Sequence, residues 1–185
     1  MARTPSHLLA FGNEEQAQRL QGAEALEDWT QFVEFGQAYA PLVFRYFWFH
    51  ALHQDAAEEL ATRTFLRALR AVRNYRVEYT PFNIWLFGIA RRVLAQHCPS
   101  GAKGAAGAEG APLRLVDGQL DLQQALSELT PSERDLIALK FGGGLTHGEI
   151  AEITGLYREH VILVLTRTLR KLRTRLIGVG GADAQ

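Results

Sequence analysis

The sequence predicts an all-α protein, two small helical domains joined by a flexible linker. Three observations carry that reading. Apolar residues recur at three-to-four spacing along most of the chain, the period of a helix with one buried side. Helix punctuation agrees with that period: Thr130-Pro131-Ser132-Glu133 and Thr146 with Glu149 read as capping boxes, and Gly155 falls where a left-handed C-cap is wanted. Between the two periodic stretches, residues 99–112 read PSGAKGAAGAEGAP, a composition that builds no core and marks a flexible linker. The expected layout is a tail and short helix over 1–27, a helical domain over 28–98, a linker over 99–118, a second helical domain over 119–177 and a disordered tail over 178–185. No strand pattern of any strength interrupts it.

In the first domain, Asp28 opens a stretch in which Phe32, Phe35, Tyr39, Leu42, Val43, Tyr46 and Phe49 keep helical spacing. Pro41 is expected at a kink or a helix start, and the aromatic run FRYFWFH reads as packing. Asp55 is expected to cap the next helix, with Glu58 at its third position. That helix buries Leu60, Thr64, Leu66 or Phe65, Leu69 and Val72. Thr80-Pro81 opens a third, with Ile84, Phe87 or Leu86, Ile89 and Val93 inward. The second domain begins with a short helix over 120–129. Its next helix starts at Thr130, runs through ERDLIALKF and stops at Gly142-Gly143-Gly144, read as a turn. A helix with Ile150, Ile153 and Leu156 on its apolar side follows, then Gly155, then a longer helix with Val161, Leu165, Leu169, Leu172 and Leu176 inward. Two helices on a short Gly-containing turn make a helix-turn-helix, whose second helix enters the DNA major groove.

Composition excludes more than it assigns. Lys plus Arg and Asp plus Glu number 20 each, so a nucleic-acid role must rest on local charge distribution. The single cysteine, Cys98, rules out an intramolecular disulfide. The apolar run near the N-terminus is too short for a secretory signal and no segment approaches a membrane span, so the protein is expected in the cytoplasm without membrane insertion. His50, His53, His97 and Cys98 sit in apolar helical or linker-edge contexts and read as core or surface residues. With no paired carboxylates, phosphate-cradling loop or nucleophile–base pair, no enzyme activity, cofactor or metal is expected.

Local chemistry is more pointed. Arg63, Arg67, Arg70 and Asn74 line one side of the second helix, with Arg73 close by, and run into Tyr75, Arg76, Tyr79, Phe82 and Trp85. Interleaved cations and flat rings suit single-stranded nucleic acid, because phosphates want positive charge and unstacked bases want a stacking surface.

Several runs also resemble a known family. DAAEELATRTFLRALRAVRNYR and FNIWLFGIARRVLAQH in the first domain, and LSELTPSERDLIALKFGGGLTHGEIAEITGL in the second, are similar to bacterial RNA polymerase sigma factors of the short extracytoplasmic-function (ECF) form. The most specific pieces are Phe65 to Ala68, Trp85 to Arg91 and LTHGEIAEITG. The resemblance implies a region-two and a region-four domain that bind core RNA polymerase and promoter DNA, with an anti-sigma factor or activator as a further partner. It places polymerase docking on Glu58, Glu59, Leu60, Thr62 and Arg63. It places the melted minus-ten strand on Arg67, Arg70, Arg73, Tyr75, Arg76, Tyr79, Phe82, Trp85, Arg91 and Arg92. It gives minus-thirty-five duplex contacts to Tyr157, Arg158, His160, Arg167, Arg170 and Lys171.

Two departures stand out. Thr62 and Arg63 occupy positions where the family usually has Gln and an acidic residue. In the recognition helix the family's Lys-Ser-Arg positions hold Ile162, Leu163 and Val164, which offer bases only methyl contacts. Val161 to Leu165 cannot all face one core, so one or two of Ile162, Leu163 and Val164 are expected in the open, as a protein-contact patch, as unusual DNA readout led by Tyr157, Arg158 and His160, or as extra packing. Two functions follow: a sigma factor directing initiation, or a sigma-like regulator that binds polymerase or a partner without reading a minus-thirty-five element.

Overall fold

The computed structural model describes residues 29–51, 53–72, 75, 80–97 and 117–179. Predictions for residues 1–27, Arg73, Arg76, Tyr79, the linker from Cys98 to residue 116 and the tail beyond 179 lie outside that set. No strand occurs among the described residues.

Three helices make the first module. α1 (Trp29–Ala51) turns Phe32, Phe35, Tyr39, Leu42, Val43, Tyr46 and Phe47 inward at three-to-four spacing. It continues through Pro41 rather than starting there. α2 (Gln54–Ala71) buries Ala57, Leu60, Thr64 and Ala68. Its N-cap is His53, in an extended conformation and with no side-chain cap; Asp55 instead lies inside the first turn, where its charge meets the positive end of the helix dipole. Leu66 points outward, and Thr64 is tolerated at the centre because its hydroxyl donates to the Leu60 carbonyl at 2.8 Å. α3 (Phe82–His97) is buried on more than one side, with both Leu86 and Phe87 inward.

The second module runs from α4 (Asp117–Ser127) to α7. α5 (Pro131–Ile137) opens with the expected capping box. The Thr130 hydroxyl accepts from the Glu133 amide at 3.2 Å and the Glu133 carboxylate accepts from the Thr130 amide at 3.0 Å. The chain then widens into a π-helical segment, Ala138–Gly142. α6 (His147–Thr154) repeats the box with Thr146 and Glu149 and ends at Gly155 with φ 73°. α7 (Arg158–Val179) buries Val161, Leu165, Thr168 and Leu172; Leu169 and Leu176, expected inward, are exposed.

The two modules share one apolar core. Tyr46, Phe47 and Phe87 from the first and Leu139, Leu145 and Ile150 from the second belong to a single buried cluster. The π-helical segment lies on α1, and α6 lies on α3.

The triple glycine explains the fit. It is more than a turn. Only Gly144 needs a left-handed backbone, at φ 68°. A Cβ on Gly142 would stand 2.8 Å from both the backbone nitrogen and the Cα of Tyr46, and one on Gly143 would stand 2.9 Å from the Phe87 ring. Bare backbone is required there so that helix backbone can lie against helix backbone.

Replacing Gly142 with Ala is therefore expected to destabilise the protein by about 1–3 kcal/mol through overpacking against atoms that cannot rotate away. Gly88 in α3 has nothing within 4 Å of such a Cβ. Its change to Ala is expected to stabilise by about 0.5–1 kcal/mol through helix propensity. Chemical denaturation of both variants checks the pair.

Candidate nucleic-acid interface

One stripe of α3 carries Trp85, Arg92 and Gln96, positions seven and four apart that stack on one side of a helix. Gln96 accepts a hydrogen bond from the Arg67 guanidinium, so α2 lays its basic side along that stripe. Arg70 and Arg92 are exposed. Trp85 is half-buried, its ring 4.7 Å from Tyr75 and 5.5 Å from Phe82 between centroids.

The aromatic residues do not share one role. Phe82 is 2 % exposed and stacks on Phe35 at 4.5 Å, so it is a core ring, and no base can reach its face. Tyr75 is also buried. Its hydroxyl donates to the Thr80 carbonyl at 2.9 Å, and burial pushes its pKa up to about 12. Both back Trp85 instead of presenting themselves. Helical periodicity could not separate these rings, because the aromatic cluster wraps from one side of α3 into the core.

Arg91 faces the opposite way. Its Nε lies 3.0 Å from an Asp135 carboxylate oxygen and its guanidinium donates to the Ile153 carbonyl at 2.8 Å. Asp135 also accepts from the Tyr46 hydroxyl at 2.9 Å. His50 Nε2 stands 3.4 Å from Asp135, within charge–charge range but without hydrogen-bond geometry. Burial alone would raise the Asp135 pKa; nearby His50, the Arg91 charge and the Tyr46 hydroxyl outweigh it and hold the carboxyl below the usual carboxylate range. Tyr46 moves the other way, raised well above its ordinary value by burial and then by the adjacent Asp135. Elsewhere between the modules, the buried Asn83 amide donates to Glu149 at 2.5 Å and Arg45 donates to the Gly142 carbonyl at 3.3 Å. Sequence reading missed Asp135, Tyr46, Arg45, Asn83 and Glu149 in this role, since each matters only through a partner in the other module.

Among the residues assigned to polymerase docking, Glu58, Glu59, Thr62 and Arg63 are exposed. Leu60, 1 % exposed, is core and cannot be touched from outside. Thr62 donates to the Glu58 carbonyl, and Arg63 pairs with Glu59 at 2.5 Å, so the unusual positive charge is partly neutralised by its own helix.

Just before α7, Tyr157 is 85 % exposed, and Arg158 and His160 in its first turn are also open. Ile162 and Leu163 are 39 % and 45 % exposed, and Leu156 in the turn is exposed too, while Val164 is half-buried against the core. The predicted patch therefore loses its third member. Arg167 and Arg170 line an open cleft of about 500 Å³ between α4 and α7. Lys171 pairs with Glu133, and Arg175 with Glu128 at 2.9 Å. Among the described residues there is no group of three or more metal-ligating side chains and no helix long and apolar enough to cross a membrane.

Residues 36–102 match the family model of Sigma-70 region 2, and residues 125–174 match that of Sigma-70, region 4. Together the two regions take in more than half of the chain. The chain belongs to the sigma-70 family. The ECF RNA polymerase sigma factor BldN of Streptomyces coelicolor is 28% identical over 171 residues, 85% of this chain and 63% of that protein. The probable RNA polymerase sigma-C factor of Synechocystis sp. is 44% identical over 59 residues, 30% of this chain and 15% of that protein. The chain thus spans less than two thirds of the length of either relative. Among solved structures, CnrH in complex with the cytosolic domain of CnrY has a TM-score of 0.63 at 17% identity, covering 93% of this chain and 99% of that one. The sigma factor RpoE in complex with the anti-sigma factor NepR, from Bartonella quintana, has a TM-score of 0.58 at 19% identity over 81% and 98%. Both support the fold.

In sigma-70 terms, α1 to α3 form region two, α4 to α7 form region four, and Asp135 belongs to region four while holding a region-two arginine. Because its folded pKa is lowered, Asp135 stabilises the packed state at neutral pH. That contribution is lost as pH falls below the usual carboxylate range toward the lowered value. Asp135→Asn is expected to cost about 1–3 kcal/mol at pH 7, less than for breaking a fully buried pair, because both partners keep some contact with water. The gap between variant and wild type is expected to shrink below about pH 4. Thermal unfolding of both proteins across that range checks it.

Proposed function

We propose that this protein is a specificity subunit of RNA polymerase that docks on the core enzyme, recognises a promoter and helps melt it. The observation that carries the reading is the α2–α3 surface, where exposed Arg67, Arg70 and Arg92 share two neighbouring helices with a half-buried Trp85 in a chain with both sigma-70 regions. Docking uses the exposed edge of α2, with Glu58, Glu59, Thr62 and Arg63. The melted minus-ten strand lies along the α2–α3 stripe, its phosphates on Arg67, Arg70 and Arg92, joined by Arg73, Arg76 and Tyr79 of the intervening segment. One base stacks on Trp85. Stacking of that kind is worth about 1–3 kcal/mol per base, comparable with the cost of extruding a base from the duplex.

Region four meets duplex DNA mainly through its backbone. Arg167 and Arg170 supply charge to phosphates without reading sequence. Tyr157, Arg158 and His160 are the polar groups nearest a groove edge, and Lys171 is already paired with Glu133.

A second reading is favoured by one observation, the exposure of Ile162 and Leu163 on the reading side of α7. Under it, region four contacts a protein, either an activator or an anti-sigma factor, and the minus-thirty-five element is not read. Among the solved structures, RpoE is seen in complex with the anti-sigma factor NepR and CnrH in complex with the cytosolic domain of CnrY.

Changing Arg70 and Arg92 to Glu is expected to leave stability within about 0.5 kcal/mol, since both are exposed, and to abolish open-complex formation. Transcription with core polymerase on a promoter library, read beside core binding, checks it; undiminished melting would refute the assignment. Leu163→Lys discriminates the second reading. It is expected to raise non-specific DNA affinity in a filter-binding assay if α7 faces DNA, and to disrupt a partner complex without that gain if α7 faces protein.

A further inference from the structure

Region four carries a cleft whose lining exceeds what contact with a duplex needs. It lies between α4 and α7, and its volume of about 500 Å³ falls within the range of small-molecule sites, about 300–1,000 Å³. Ala125, Leu129 and Leu172, each less than a tenth exposed, form its apolar floor. Arg167, Arg170, Lys171 and Arg175 stand around that floor. We propose that this cleft binds a nucleoside diphosphate or triphosphate, with the base on the apolar floor and the phosphates on Arg167 and Arg170. The inference goes beyond the promoter reading, since such binding needs neither polymerase nor DNA.

The cations divide into two kinds. Lys171 pairs with Glu133, and Arg175 pairs with Glu128 at 2.9 Å. Arg167 and Arg170 are exposed and make no ion pair or side-chain hydrogen bond among the described residues. Four cations against two carboxylates leave the cleft positive, which favours a ligand carrying several negative charges. Arg167 and Arg170 stand three positions apart on α7, so their Cβ atoms lie about 5–6 Å apart and both side chains leave from one side of the helix. Two such guanidinium forks can close on a single pyrophosphate group through paired N–H donors.

The floor describes the rest of the ligand. A duplex phosphate meets the exposed guanidinium tips and brings nothing to fill an apolar hollow. An inorganic anion leaves the hollow empty as well. A nucleobase covers it with one flat face, and guanidinium planes stack readily on such rings. The Glu128 carboxylate at the rim separates a base from an acyl chain. Its pair with Arg175 is exposed on both sides and so weakly held, which leaves an acceptor for an exocyclic amino group. An acyl chain has no donor to offer it. Adenine, guanine and cytosine do.

Calorimetric titration of the full-length protein tests the site, with adenosine diphosphate and guanosine diphosphate as probes beside inorganic pyrophosphate and adenosine. At least one diphosphate is expected to bind about tenfold or more tightly than either fragment, because only the whole ligand engages floor and forks together. Changing Arg167 and Arg170 to Gln is expected to weaken that binding by about tenfold or more. Changing Arg70 and Arg92 to Gln removes the same charge from exposed positions on region two and is expected to leave it unchanged. All four positions are exposed, so the variants keep the fold. Pyrophosphate that binds as tightly as the diphosphates overturns the proposal, because charge alone then explains the affinity. Equal losses in the two double variants overturn it too, as does the absence of binding by either diphosphate at about 1 mM.

Discussion

A bare stretch of backbone on the second module, Gly142 and Gly143, sits against the backbone of Tyr46 and the ring of Phe87, and the rest of the packing depends on that approach. With side chains at those positions α1 could not come close enough for Leu139, Leu145 and Ile150 to join Tyr46, Phe47 and Phe87 in one core. Nor could Asp135, one turn before the π-helical segment, reach Arg91 and the Tyr46 hydroxyl. The widened turn at Ala138–Gly142 aims the segment at α1, and π-helical turns frequently mark functional sites. Local backbone geometry thus decides whether the two regions form one body.

The same packing sorts the charged residues into two sets. On the side of α3 facing region four, Asn83 and Arg91 are consumed by partners and do structural work. On the opposite side, Arg92 and Trp85 remain available, and Arg67 and Arg70 of α2 extend that surface. Since net charge is zero, this segregation is what allows a nucleic-acid surface at all. Region four shows a weaker version. Its capping boxes and Gly155 turn build a firm helix-turn-helix, but the face it turns outward carries Ile162 and Leu163 where hydrogen-bonding groups would read bases. Its architecture suits DNA better than its surface does, so phosphate contacts and protein contacts share the explanatory weight there.

What was legible in the sequence was local. Capping boxes, the left-handed Gly155 and the apolar period of α1 and α3 depend on residues within a turn of one another, and all appear as read. The errors have local causes too. Asp55 is a good cap type, but the helix begins one residue before it. Thr64 and Thr168 hide their hydroxyls by bonding back to their own helices, so Leu66 and Leu169 need not turn inward. What could not be read was pairing across the linker. Asp135 and Arg91 are 44 residues apart, and Tyr46 and Asp135 are 89 apart. Neither side chain signals its partner in the chain. The triple glycine was the one available hint. Its meaning was ambiguous, because a turn and a close approach both ask for glycine.

Under the proposed function the two regions must reach separate promoter elements, so their separation on polymerase is the point at which fold and function meet. Fluorescent labels at Val33 on α1 and Glu152 on α6, both exposed, report the separation of region two from region four by single-molecule energy transfer, once Cys98 is replaced. A closed, high-transfer state for the free protein and a low-transfer state with core polymerase is the predicted result. High transfer that persists in a complex active for initiation would contradict it.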